Sequence, residues 1–141
     1  MGPMLVARTL ARGYITLAEG FRVGEYTQDE DVVVGAKLGD AWIGVVVVRM
    51  EEDRAVVRAW TTKMRYRSVG LGGDLVRHAW IEMRKRLGRR GKLVLDPDIV
   101  HARLVLPEMF SAIFRRKTEA ASRLFDDVVK EMALSERNVI S

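Results

Sequence analysis

One run of seven residues combines types and spacing suited to holding an anion: Arg67-Ser68-Val69-Gly70-Leu71-Gly72-Gly73. Glycine carries no Cβ, so a glycine-rich backbone turns tightly and brings its N–H groups close to a phosphate. The residues that follow read as the start of a helix. The first N–H groups of a helix have no intrahelical acceptor, and the helix dipole favours negative charge there. Arg67 adds a guanidinium that can make a charge-assisted contact. Taken alone, a Gly-x-Gly-Gly run is weak evidence, because any strand-to-helix turn tolerates permissive glycines. The run does not follow the Gly-x-Gly-x-x-Gly pattern of dinucleotide folds, and it lacks the Lys-Ser or Lys-Thr of a Walker loop.

The elements that must position this loop are legible on both sides of it. Residues 32–38, 42–50 and 54–62 are apolar, β-branched runs. Gly39-Asp40 and Glu51-Glu52-Asp53 supply the turns between them, so the three runs predict an antiparallel meander. Val45-Val46-Val47-Val48 is apolar without a break, the pattern of a strand buried on both faces. Residues 72–87 place Leu75, Val76, Ala79, Trp80, Met83 and Leu87 on one side at helical spacing, and Gly88 ends that helix. Residues 93–95 predict a short buried strand, broken by Asp96-Pro97-Asp98. Residues 99–106 suit a short helix. Pro107 suits the first position of a long one, with an apolar stripe of Phe110, Ile113, Phe114, Ala121, Leu124, Phe125, Val128 and Met132. The tail from Ser135 is polar and is expected to fray. Upstream, residues 4–20 mix apolar and basic residues and read as a helix broken at Gly13, followed by a polar loop to residue 31.

Bulk properties bound the function classes. A chain of 141 residues suits one domain, 1–141. With 48% hydrophobic and 30% charged residues it falls among ordinary globular proteins rather than disordered ones. The formal net charge of +5 predicts anionic ligands or surfaces. The absence of cysteine excludes disulfides, zinc–thiolate sites and thiol nucleophiles, and no metal site is expected. No apolar run approaches the ~20 residues needed to cross a bilayer. Met1 to Leu10 contains Arg8 and lacks the core of a secretory signal. A cytoplasmic protein is expected, with an anchor upstream of Met1 left open. Arg84-Lys85-Arg86, with Arg89, Arg90 and Lys92, reads as a solvated helix end, since helix C-termini favour cations. A nucleic-acid surface would interleave exposed aromatic residues or carry a reading module, and neither is present.

Arg67-x-x-Gly70-x-Gly72, directly after a strand and opening a helix, resembles the signature of the GNAT superfamily of N-acyltransferases. The flanks match as well: Trp60-Thr61-Thr62-Lys63-Met64-Arg65-Tyr66 leads into the motif, and the meander over 32–62 precedes it. The resemblance covers residues 32–95. It implies an α/β fold of the GNAT type, a mixed, mainly antiparallel sheet flanked by helices on both faces. It also implies acetyl-CoA as acyl donor, with an amine acceptor that the chain does not identify. By position, the amides that hold the pyrophosphate of coenzyme A fall on Ser68, Val69, Gly70, Leu71, Gly72 and Gly73, with Arg67 as a charged contact to the cofactor. The strand groups that pair with the pantetheine arm fall on Trp60, Thr61 and Thr62.

The chain departs from the family where catalysis is concerned. The position of the common acidic base is Val56, and that of the common tyrosine acid is Val105. Glu51, Glu52 and Asp53 are acidic alternatives, although a charged hairpin turn is usually just solvated. His101 lies near the expected thiolate, and His78, on the motif helix, is expected to be at the surface or partly packed. Residues 107–134 read as helical where the family places its last two strands. The expected activity is acetyl-CoA-dependent N-acetyl transfer. The alternatives are a catalytically degenerate domain that binds CoA or a protein partner, and a basic nucleic-acid adaptor. The apolar stripe of the last helix is too large to leave in water. It is expected to be buried within the chain or across a homodimer, the dimer being slightly favoured over a monomer.

Overall fold

Six strands form a single sheet whose spatial order follows the chain. They are β1 (Met4–Leu10), β2 (Gly13–Glu19), β3 (Asp31–Leu38), β4 (Ala41–Met50), β5 (Arg54–Thr62) and β6 (Lys92–Leu95). Two helices are described: α1 (Leu71–Leu87), between β5 and β6, and α2 (Glu119–Ile140). A short 3-10 turn, Gly88–Arg90, separates α1 from β6. The structure, a computed structural model, describes residues 4–10, 13–19, 30–62, 70–96 and 119–140. Strands β1 to β5 pair antiparallel, and β6 joins β5 in parallel. A parallel pair needs a crossover, and α1 supplies it by carrying the chain back across the sheet. The α/β class and the mixed, mainly antiparallel sheet agree with the sequence reading.

The meander forms for the reasons its sequence suggests. The valines of β4 pair with those of β3 from Val32↔Val48 to Gly35↔Val45. Val46 and Val48 face α1, where they join Leu71, Leu75, Ala79 and Met83 in one core. Each such fully buried aliphatic side chain contributes roughly 1.5–3 kcal/mol. Val33, Val45 and Val47, on the opposite face, are buried too. Both described helices pack on the α1 side. The expected helical cover of the second face falls outside the described residues. None of the described helices is long and apolar enough to cross a membrane.

Two β-bulges, which no sequence pattern announced, adjust the meander. Ile43 is an extra residue in β4, between Gly44 opposite Ala36 and Trp42 opposite Lys37. Arg58 is an extra residue in β5, between Ala59 opposite Val47 and Val57 opposite Val48. A bulge kinks its strand and interrupts the ladder locally.

Three expectations need correction. Residues 4–20 are not a helix but the β1–β2 hairpin, which pairs with β3 from Ile15↔Leu38 to Glu19↔Val34. Val6, Thr9, Ile15 and Thr16 are β-branched, and the backbone pairing offered by β3 outweighs a weak local helix preference. The C-terminal tail does not fray at Ser135: α2 continues to Ile140, because Glu136 is tied to α1 by hydrogen bonds. His78 is buried rather than superficial, 3.6 Å from Glu82 one turn further along α1.

Candidate functional site

The last four residues of β5 outrun their neighbour on one side. Pairing with β4 continues to Thr62↔Gly44. Pairing with β6 runs only from Arg54↔Lys92 to Val57↔Leu95, and ends with Asp96 N–H donating to the Val57 carbonyl at 3.0 Å. The Arg58 bulge sits at this point, its guanidinium 3.5 Å from the Asp96 carboxylate. Beyond it, alternate backbone groups of residues 59–62 face away from β4. No described strand lies beside them. An extended ligand can pair with such a strand end as an added strand does.

Helix α1 begins next to that strand end. Its N-cap, Gly70, is exposed and left-handed, with φ 84° and ψ 11°, and no side chain caps the helix. A residue with a Cβ would be strained there by about 1–2 kcal/mol. The first helical hydrogen bond runs from Asp74 N–H to the Gly70 carbonyl at 3.2 Å. The N–H groups of Leu71, Gly72 and Gly73 therefore have no acceptor within the helix. Asp74, in the first turn, would repel an anion; Arg77 lies 3.1 Å from its carboxylate but also pairs with Glu131 at 2.7 Å, so it offsets that charge only in part.

Trp60 joins the two features. Its indole N–H donates to the Gly72 carbonyl at 3.1 Å, and its ring lies 6.2 Å from that of Phe125 of α2, tilted by 58°. Of the other strand candidates, Thr61 pairs with Val45, on the face away from α1, whereas Thr62 pairs with Gly44 and shares the α1 face with Trp60. Both are buried.

The first glycines of α1 face the protein, which the sequence did not reveal. A Cβ on Gly72 would lie 3.5 Å from Trp60 and 3.6 Å from Leu124, and one on Gly73 would lie 3.2 Å from the Arg77 guanidinium and 3.7 Å from Val128. The contacts with Trp60 and α2 are ordinary ones that a Cβ could also make. A side chain at position 72 would meet Trp60 and α2 rather than enter an anion site. Of the expected cradle, Gly70, Leu71, Gly72 and Gly73 stand at the helix start. Arg67, Ser68 and Val69 lie outside the described residues, as do His101, Val105, Phe110, Ile113 and Phe114.

Glu51, Glu52 and Asp53 are not brought to this junction. They occupy the turn at the opposite end of β5, where Glu51 pairs with Arg54 at 2.7 Å. Eight residue steps along the strand separate that end from Thr62, roughly 25 Å. His78 and Glu82 lie further along α1, within its buried face. Burial pushes the Glu82 carboxyl up, but hydrogen bonds from Arg86 and Lys85 outweigh burial and hold it below the ordinary glutamate range.

The basic run at the end of α1 is used by the protein more than the sequence suggested. Arg84 donates to the Glu136 carboxylate at 2.8 Å and to the carbonyls of Gly88 and Gly91 at 2.9 and 2.7 Å. The same carboxylate accepts the Trp80 indole N–H at 2.8 Å. Arg84 and then Trp80 hold Glu136 below its ordinary range against the opposing effect of burial. Among the described residues, every buried side-chain polar atom has a hydrogen-bond partner. No group of three or more His, Cys, Asp or Glu among them could hold a metal ion.

No family model matches the chain. No curated protein matches it either. Among solved structures it is similar to a ribosomal-protein-alanine N-acetyltransferase from Brucella melitensis biovar Abortus 2308. That likeness has 12% identity and a TM-score of 0.44, and covers 64% of this chain and 69% of the other. An overlap this loose carries no argument about activity.

Proposed function

We infer that the chain binds acetyl-coenzyme A across the β5–α1 junction and transfers the acetyl group to an amine acceptor. The observation that carries this reading is the meeting, at Trp60 and Gly72, of a strand end with no described strand beside it on one side and a helix start without a side-chain cap. A coenzyme A presents the complementary chemistry: a pyrophosphate for the amides of 71–73 and an amide-bearing arm for the backbone of 59–62. The arrangement also accords with the family resemblance carried by Arg67-x-x-Gly70-x-Gly72. Acetyl-CoA supplies an activated thioester, from which the acceptor amine takes the acetyl group as the thiol is released and the amine's proton passes to solvent. Residues 59–62 would orient that donor, and strand N–H groups near Thr62 would polarise its carbonyl. Residues 59–62 and 70–73 include no acid or base, so positioning would supply much of the rate.

That same lack favours a second reading, a domain that binds CoA without catalysis. Calorimetric titration with acetyl-CoA tests the binding, and thiol release over a panel of amines and peptides separates the two readings. CoA at 100 times its dissociation constant should add about 2.7 kcal/mol of stability. No thermal shift at millimolar CoA would remove both readings. Binding without thiol release would leave the second.

A further inference from the structure

We propose that the Trp60 side chain is a positioning residue for the anion-binding end of α1, acting through the Gly72–Gly73 peptide group; this rests on the reading of the junction as a CoA site. The Trp60 indole N–H donates to the Gly72 carbonyl at 3.1 Å. That carbonyl and the Gly73 N–H belong to one planar peptide unit, so whatever holds the oxygen sets the direction of the N–H. Gly73 N–H is one of the three donors that the helix geometry leaves without an intrahelical acceptor. A carbonyl has two lone pairs, so the Gly72 oxygen can accept from Trp60 and still serve the helix ladder. Donation to the carbonyl also polarises the peptide, and such chains strengthen each bond by about 10–30%.

The indole is itself well placed to act as a rigid strut. Trp60 is only 5% exposed, stands on β5, and is backed by the Phe125 ring of α2. A Cβ on Gly72 would lie at ordinary contact distance, 3.5 Å, from the same ring, so the indole packs directly against the helix start. Strand, helix and peptide plane are therefore set by one hydrogen bond. Its donor comes from the very strand segment proposed to carry the pantetheine arm.

The test replaces the donor and keeps the shape. Trp60→Phe removes the N–H and some volume; benzothienylalanine at position 60 removes the N–H while preserving the indole outline, and so guards against a packing defect. Each is titrated with CoA by calorimetry, and the Gly73 amide is followed by ¹⁵N correlation spectra of the ligand-free protein. Loss of one supporting hydrogen bond should weaken CoA about five- to tenfold in both variants. The Gly73 amide proton should move upfield, and the benzothienyl protein should keep its melting temperature. Variants that bind CoA as tightly as the wild type overturn this inference and leave the CoA site standing. Weakened binding with an unmoved Gly73 amide also overturns it, because Trp60 then acts through packing alone. A wild type that ignores CoA overturns the site and the inference together.

Discussion

The two ends of α1 are built on opposite principles. At its C-terminus the chain satisfies its own backbone: Gly88 N–H returns to the Arg84 carbonyl, and Arg84 donates to the carbonyls of Gly88 and Gly91. The same arginine pairs with Glu136 and lies over the Trp80 ring, 4.5 Å from its centroid. At its N-terminus no side chain caps the helix, the N-cap is a left-handed glycine, and the one side-chain bond to backbone described there goes to a carbonyl rather than to an N–H. A closed end contributes stability. An end left open keeps donors for something else. Helix α2 touches both, through Leu124 and Val128 at the start and Glu136 at the finish.

That contrast can be broken most severely through α2. Phe125→Glu places an unpaired charge beside Trp60, in the core that joins α2 to the sheet, and should cost about 4 kcal/mol or more. Chemical denaturation should show the chain unfolded or α2 detached. A native melting temperature would mean that α2 is not docked as described. Arg84→Met keeps the aliphatic stem but removes the guanidinium's hydrogen bonds to Glu136, Gly88 and Gly91. It should cost about 2–3 kcal/mol in urea midpoints while CoA affinity holds. A loss of CoA binding there would show that the two ends are not independent.

Gly70→Asp addresses the open end. Asp and Asn both tolerate the left-handed conformation better than other side chains. Gly70→Asp should weaken CoA at least tenfold, about 1.4 kcal/mol, while Gly70→Asn binds it nearly normally. Equal binding by both variants and the wild type would make the loop a structural turn only.

The smallest expected effect is that of Glu136→Gln, which keeps an acceptor for Trp80 but loses the charge. A partly exposed pair of this kind is worth under about 1 kcal/mol at neutral pH. The pH dependence is the sharper readout. Glu82 and Glu136 are both held below the ordinary glutamate value of about 4.5. A carboxyl with a depressed folded pKa binds fewer protons folded than unfolded. Its contribution is present above the ordinary value and is lost as pH falls through the folded one. Glu136→Gln should therefore flatten the acid side of the stability curve and leave its neutral side nearly unchanged. An acid limb as steep as that of the wild type would show that Glu136 does not carry it.

Much of the junction was legible because its signals are local. Residues 54–62 match β5 as observed, and α1 begins at Leu71, one residue before its expected start. β-branched runs, polar turns and glycine at a left-handed N-cap each act within a few residues, so the chain displays them in order. The hairpin at 4–19 was misread because its strand character depends on pairing with β3 and not on its own composition. His78 was read as superficial or partly packed, and its full burial was missed because burial is a property of what packs on a helix face.

From sequence alone came the β-meander, the helix behind it and its glycine-bearing start, all consequences of side-chain size, branching and backbone freedom. Tertiary structure alone decided where β5 parts from β6, because the Arg58 bulge is a matter of register between strands. It alone decided that Gly72 and Gly73 face α2, because helix–helix approach joins residues some fifty positions apart. And it alone placed the Trp60 indole on the Gly72 carbonyl, a hydrogen bond that exists only once the helix has folded back against its own strand.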